Sequence, residues 1–223
     1  MKLAIIGYGK MGHAIEAQAL KRGHSVACVI DKEDPWPDGV DADVAVEFTT
    51  PATAVENIRR CWRLGLPVVC GTTGWNAQYE AVKAECLAGG HGLLAASNFS
   101  IGMNIMFALN ERLAELMRGR DYAVSIAETH HIHKLDAPSG TAITLRDQIA
   151  ESGKRKVESI PIASYREGEV PGTHTVVYDS EIDTLTLTHE AHSRKGLAMG
   201  ALLAAEWLVQ AEPGVYTMKD LLG

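Results

Sequence analysis

The stretch Leu3-Ala4-Ile5-Ile6-Gly7-Tyr8-Gly9-Lys10-Met11-Gly12 decides the fold. Four apolar residues make a short buried strand and the glycines interrupt it. From Met11 to Arg22 the apolar residues Ile15, Ala19 and Leu20 recur at helical spacing, and Gly23 ends the helix. A G-x-G-x-x-G run between a strand and a helix has a mechanical meaning. Gly7 permits the tight turn, Gly9 lets the backbone approach a pyrophosphate, and Gly12 lets helix and strand pack closely. The amides at the helix start then face the anion. Gly7, Tyr8, Gly9, Lys10, Met11 and Gly12 are therefore predicted to hold a dinucleotide. Asp31 ends the second strand, Val26 to Ile30, about 20 residues further on, where an acid binds the adenosine ribose hydroxyls. Lys32 beside it can pair with a 2′-phosphate, so NADH and NADPH both stay open.

The same rhythm continues outward. Val44 to Phe48 reads as a third strand, Pro67 to Cys70 as a fourth and Leu93 to Ala96 as a fifth. Between them lie a helix capped by Thr50, with Pro51 in its first turn and Gly65 behind it, and a helix from Ala77 to Leu87. Alternating short apolar runs and helices predict a parallel sheet covered on both faces. After Asn98 the pattern changes. A long amphipathic helix, Ile101 to Met117, leads to a strand, Tyr122 to Glu128. Further strand-like stretches follow at Ser159 to Tyr165, His174 to Tyr178 and Thr184 to Thr188, which suits an open, largely antiparallel sheet. The helix Gly196 to Val209 returns to the first unit.

Composition narrows the partners. The 223 residues are 46% hydrophobic and 22% charged, enough for an ordinary buried core. With 21 Lys and Arg against 28 Asp and Glu, the net charge of -7 repels a phosphate backbone, so nucleic acid is not an expected partner. No apolar run approaches membrane-spanning length, and Met1-Lys2 passes straight into a strand pattern. The four cysteines form no Cys-x-x-Cys pair. A reducing cytoplasm is the expected location.

Five of the nine histidines lie in two places: His130, His131 and His133, then His189 and His192. Neighbours on an extended chain point to opposite sides, and there is no helical i,i+4 histidine pair around a glutamate, so no metal site is predicted. His130, His131 and Lys134 instead precede Asp136-Ala137-Pro138-Ser139-Gly140-Thr141, a turn feeding a helix start with Ser139 as cap and Thr141 donating at its mouth. Exposed amides there bind carboxylates, and a lysine and a histidine add the cationic and hydrogen-bonding partners a small dicarboxylate needs.

Glu128-Thr-His-His-Ile-His-Lys-Leu-Asp-Ala-Pro-Ser-Gly-Thr-Ala142 closely resembles the signature of the 4-hydroxy-tetrahydrodipicolinate reductases, long called dihydrodipicolinate reductases. Other blocks follow in family order: Gly7 to Gly12, Gly71-Thr72-Thr73-Gly74, Ser97-Asn98-Phe99-Ser100, Arg166 to His174, His189 to Arg194, and Gly200-Ala201 to Trp207. The resemblance implies NADH- or NADPH-dependent reduction of the cyclic dicarboxylate imine derived from 4-hydroxy-tetrahydrodipicolinate to tetrahydrodipicolinate, in lysine and diaminopimelate biosynthesis. It implies that His130 is the acid/base group and Lys134 the proton donor, the delivering residue being left open between them. His131, Gly140 and Thr141 would hold the substrate, and Gly71, Thr72, Thr73, Ala96, Ser97, Asn98 and Phe99 the nicotinamide side. The fold expected is α/β: a Rossmann-type doubly wound parallel sheet with an inserted α+β substrate and oligomerisation domain on an open mixed sheet. Residues 1–99 and 194–223 would form the dinucleotide-binding domain, and 100–193 the substrate-binding one. Hinges are expected near Phe99 and Arg194, and a homotetramer through the substrate-domain sheet. The short loop after Lys32 and the trimmed region after Ala150 depart from the family pattern. A reductase of another amino or imino dicarboxylate, or a nicotinamide-sensing binding protein, are the competing readings.

Overall fold

Period-two alternation in the first strand, β1 (Lys2–Ile6), sends Leu3 and Ile5 to one face and Ala4 and Ile6 to the other, and all four are buried. A strand buried on both faces belongs in a parallel sheet with helices on each side. The computed structural model, which describes residues 1–193 and 195–223, has that sheet. After α1 (Lys10–Lys21) come β2 (Ser25–Ile30), β3 (Val44–Glu47), α2 (Ala54–Arg63), β4 (Val68–Cys70), α3 (Tyr79–Ala88) and β5 (Gly92–Ala95). Far along the chain, α6 (Lys195–Leu208), β10 (Gly214–Tyr216) and α7 (Met218–Leu222) complete the unit, which comprises Met1–Ile101 and Lys195–Gly223. All six strands are parallel, in the order β10-β5-β4-β3-β1-β2. Residues of α1 and α6 fill one face with Leu3, Ile5, Val46 and Leu94; residues of α2 and α3 fill the other with Ala4, Ile6, Ala45 and Val68.

The order reverses at β1, with β2 on one side and β3 on the other, and among the described residues no strand lies outside β2. Residues 31–43 carry six acids and two prolines, which supply no strand, so the chain crosses directly to β3. The carboxyl ends of β1 and β3 thus frame the crevice where an open α/β sheet takes ligands.

The second unit, Gly102–Arg194, holds most of α4 (Ile101–Leu116), then β6 (Ala123–His130), α5 (Gly140–Gly153), β7 (Ile162–Arg166), β8 (Thr173–Asp179) and β9 (Thr184–Glu190). Its sheet runs β7-β6-β8-β9. The sheet is mixed: α5 is the crossover of a parallel β6–β7 pair, and β8 and β9 add antiparallel hairpin partners. Val124, Ile126, Glu128 and His130 share the inward face of β6, packed with Met103, Leu145, Ile149, Val176 and Tyr178.

Four details differ from the sequence expectation. β6 runs two residues further than Glu128, so His130 is a strand residue paired with Arg166, not part of a loop. Regular helix α2 starts at Ala54, because the amides of Thr53 and Ala54 both reach the Thr50 carbonyl and wind the entry turn tightly. The stretch before Ile162 includes a 3-10 turn, Val157–Ser159, rather than strand. Strand β10 and helix α7, closed by a capping box from Thr217 to Asp220, were not anticipated. Arg194, expected near a hinge and at the start of the last domain segment, lies outside the described residues. Among the described residues no helix is long and apolar enough to cross a membrane.

Candidate active site

In the first unit the glycine loop has the geometry its spacing requires. Gly7 sits at φ +92°, and a Cβ there would meet the Phe48 carbonyl oxygen at 2.2 Å. A Cβ on Gly12 would lie 2.3 Å from the Gly7 oxygen, whereas one on Gly9 would meet no atom within 4 Å. The three glycines therefore serve turn, helix packing and open access respectively. Helix α1 has no side-chain cap at Gly9, which leaves its first amides to an outside acceptor. Such a cradle fits a pyrophosphate.

Beside it lies a cavity of about 720 Å³, lined by Gly7, Tyr8, Gly9, Asp31 and Lys32 together with Trp36, the Phe48–Thr50 loop and Arg60. Asp31 Oδ1 accepts the Tyr8 amide at 3.2 Å, tying the end of β2 to the glycine turn. Trp36 and Arg60, stacked with the guanidinium 5.3 Å from the ring centroid, escaped the sequence reading because neither sits in a motif. Lys10, Met11 and Gly12 lie outside the lining.

Gly71–Thr73 and Ala96–Phe99, also outside that lining, follow β4 and β5 at the same end of the sheet. The loops are laced together: the Thr49 amide donates to Thr72 Oγ1 at 2.7 Å, Gly71 N–H to the Glu47 carbonyl at 2.9 Å, and Ala96 N–H to the Cys70 carbonyl at 3.1 Å. Phe99 is a core residue, 5.7 Å from the Phe48 ring, so its backbone rather than its ring can face a ligand. Asn98 Oδ1 accepts the Ser100 amide at 2.9 Å and shapes the turn. Glu47, fully buried under the Phe48–Thr50 loop, takes hydrogen bonds from Thr49, Asn57 and Cys70. Its one signal was an acid inside an apolar strand.

In the second unit the motif lies between β6 and α5. Glu128 is 1% exposed and accepts the Ser139 amide at 3.0 Å and Arg166 Nη2 at 3.3 Å on Oε1. Its Oε2 is 2.9 Å from His130 Nδ1, off the line of a hydrogen bond, and neither atom has another hydrogen-bond partner. Burial pushes the Glu128 carboxyl up, but the Ser139 amide, the neighbouring Ser164 hydroxyl and the nearby His130 together hold it below the usual range. Burial lowers His130, with Lys134 and Arg166 adding to that and Glu128 opposing it, so its imidazole is neutral near pH 7. His174, buried across the sheet, is pushed down to about 4 by burial and by His130; its Nε2 lies 3.2 Å from Ser139 Oγ.

Ser139 caps α5 through Ala142 N–H at 3.2 Å, as expected, and the Gly140 and Thr141 amides open the helix beside it. Lys134 Nζ donates to both Asp136 oxygens, at 2.7 and 2.9 Å. Arg166 reaches back to the Lys134 carbonyl at 3.3 Å and the Asp136 carbonyl at 2.5 Å, so β7 holds the loop that carries the lysine. His131 is half-buried with its ring 6.0 Å from His133. The structure thus groups His130, His131, Lys134, Gly140 and Thr141 along one segment of this unit, and adds Glu128, Arg166 and His174. The ligating atoms of Glu128, His130 and His174 lie within 4.8 Å of one another. A metal there would have to break the Ser139 bond to His174.

Residues 1–99 match the family described as "Dihydrodipicolinate reductase, N-terminus" and residues 102–222 its "C-terminus". The chain belongs to the dihydrodipicolinate reductase family. Its relatives include the 4-hydroxy-tetrahydrodipicolinate reductase of Christiangramia forsetii, 44% identical over all of this chain and 98% of that protein. The reductase of the same name from Methanopyrus kandleri is 38% identical over 82% of this chain and 72% of its own. Among solved structures, a dipicolinate-bound dihydrodipicolinate reductase from Paenisporosarcina sp. TG-14 shares the fold at TM-score 0.83 and 23% identity, covering 99% and 98% of the two chains. Amine dehydrogenase from Mycobacterium smegmatis has a related fold, with TM-score 0.63 and 11% identity over 96% and 94%. Among the described residues β2 is an edge strand, and Trp36, beyond its end, and Arg60 on α2 line the cavity that Asp31 and Lys32 border.

Proposed function

We propose that this protein reduces the cyclic dicarboxylate imine derived from 4-hydroxy-tetrahydrodipicolinate to tetrahydrodipicolinate with NADH or NADPH, in lysine and diaminopimelate biosynthesis. The observation that carries the reading is the segment from His130 to Thr141, where a neutral imidazole, an ammonium and the opening amides of α5 lie within a dozen residues of one another. That is a donor set for a small dianion undergoing protonation.

In this reading residues 1–99 and 194–223 bind the dinucleotide and residues 100–193 bind the substrate and form subunit contacts. Gly7–Gly12 cradle the pyrophosphate, Asp31 and Lys32 face the adenosine ribose, and Gly71–Thr73 with Ala96–Phe99 position the nicotinamide. When bound, the reduced cofactor supplies the hydride. His131, Gly140 and Thr141 clamp the carboxylates and neutralise charge that would oppose docking. An ammonium has three protons; Asp136 engages two on Lys134 and leaves one for the substrate carbon. His130, neutral near pH 7, fits an accepting or orienting role better than proton delivery. This divides the two roles left open by the sequence.

The middle of the second sheet's face opposite its core carries Ser125, Ala127, Thr129, Thr173, Thr175, Val177 and Thr188, small and uncharged, with Asp179 and Glu190 at its ends and Tyr165 beside it on β7; that central patch supports a homotetramer formed through the sheet. Four free thiols suit a cytoplasmic enzyme. The test follows nicotinamide absorbance with each cofactor and substrate freshly generated by the preceding synthase. Cofactor oxidation that depends on that substrate is expected. Binding without turnover, or turnover only with other imino dicarboxylates, would overturn the assignment.

A further inference from the structure

Sheet register, not sequence spacing, builds the cluster around Glu128. Glu128 and His130 are two apart on β6 and so share its inward face, and the antiparallel partner β8 sets His174 directly opposite Glu128. The face that is apolar at Val124 and Ile126 becomes polar at the end of the strand, while staying buried.

Inside that pocket the carboxylate divides its two oxygens. Oε1 is committed to two donors, the Ser139 amide at the start of α5 and the Arg166 guanidinium. Oε2 points to His130 Nδ1 at 2.9 Å, with His174 Nε2 further off at 3.9 Å. Both Oε2 and Nδ1 are sealed from solvent and lack any other hydrogen-bond partner. At 2.9 Å the two atoms are within hydrogen-bond distance of each other, and each is the other's nearest way to be satisfied. On the far side of the imidazole stands Gly172, at φ +152°, where a Cβ would lie 3.0 Å from Nε2. A glycine there keeps that nitrogen from being covered.

We propose that Glu128 is a positioning residue that fixes His130 as the Nδ1–H tautomer, so that Nε2 is presented as an acceptor, and that ties the same strand to the first turn of α5. The inference rests on the reading of His130 and α5 as substrate-facing groups. Arg166, Asp136 and Lys134 are the other charged groups around His130, and all three keep their charge in the variants below.

Glu128→Gln has a specific consequence. Its amide carries one acceptor and one donor, and the acceptor is held by the two donors at Ser139 and Arg166. The NH2 then faces His130 Nδ1, which must become an acceptor, and the ring flips to the Nε2–H tautomer. Nitrogen-15 NMR of the imidazoles in the full chain reads this directly, with His130→Gln used to assign the signal. Wild type is expected to show Nδ1–H and Glu128→Gln the exchanged pattern. In the same variant kcat should fall by about 10²-fold, with NADH affinity by fluorescence titration unchanged. Glu128→Asp, which keeps the charge on a shorter arm, should recover part of kcat. An Nε2–H tautomer in wild type, or an unflipped ring with undiminished kcat in Glu128→Gln, would overturn the proposal. A flipped ring with unchanged kcat, together with an active His130→Gln, would instead remove His130 from the reaction. Should Glu128→Gln fail to fold, the wild-type tautomer and the Glu128→Asp kinetics still decide.

Discussion

Replacing Arg166 with lysine keeps the positive charge and removes the planar fork. Besides the carbonyl of its neighbour Tyr165, at 2.6 Å, the guanidinium spans three acceptors that no single ammonium can reach together: Glu128 Oε1 at 3.3 Å, the Lys134 carbonyl at 3.3 Å and the Asp136 carbonyl at 2.5 Å. Lysine can serve one of them, so two charge-assisted bonds are lost. The side chain is 20% exposed and two of the bonds are long, which puts each at the low end of its range, about 1.5 kcal/mol. The expected destabilisation is about 2–3 kcal/mol, or a Tm lower by roughly 4–12 °C for a chain of this length. Because the lost bonds anchor the Lys134 loop, kcat/KM for the imine should fall by roughly 10- to 100-fold, while cofactor affinity holds. Differential scanning calorimetry and steady-state kinetics on the same preparation test both halves. A variant with unchanged Tm and unchanged kcat/KM would show that β7 does not hold the loop.

Three further outcomes are expected. Lys134→Ala should lower kcat by about 10²- to 10⁴-fold with KM little changed; a raised KM with kcat preserved would make Lys134 a carboxylate clamp only. Asp31→Asn keeps the acceptor for the Tyr8 amide but removes the negative charge, so the ratio of kcat/KM for NADPH over NADH should rise about tenfold. An unchanged ratio in parallel assays would place the discrimination elsewhere. The third concerns acid. An unfolded histidine protonates near pH 6.5, folded His174 only near 4, so between those values the unfolded chain binds more protons. The stability from His174 is complete above pH 6.5 and is lost as pH falls to 4, about 3 kcal/mol in all, and the lowered His130 and His189 act in the same direction. Urea midpoints measured across that window should fall more steeply for wild type than for His174→Gln; equal slopes would refute this.

How far the sequence carried depended on whether each feature had a local cause. The five strands from Leu3 to Ala95 and the Ser139 cap were legible because apolar period, turn glycines and a capping hydroxyl all act within a few residues. β10 is three residues long and exists because it pairs with β5, more than a hundred residues earlier, so no local pattern marks it. His174 joins Glu128 and His130 through strand register, and no spacing rule links positions 128 and 174. The extension of β6 through His130 is likewise set by the partners Arg166 and Thr173, which draw the chain two residues past the apolar run. Phe99 read as a ligand contact through its motif, while its ring is spent on the core.

The placement of α6 has a consequence for synthesis. Its buried residues Ala198, Ala201, Leu202 and Ala205 cover the sheet face formed by Leu3, Ile5, Val46 and Leu94, which emerge from the ribosome a hundred or more residues earlier. The inserted unit is translated whole within that interval and has its own core from Met103 to Tyr178. The nascent chain must therefore carry a one-sided, water-exposed nucleotide sheet while the later-made insert already folds, and chaperone demand should peak in that window.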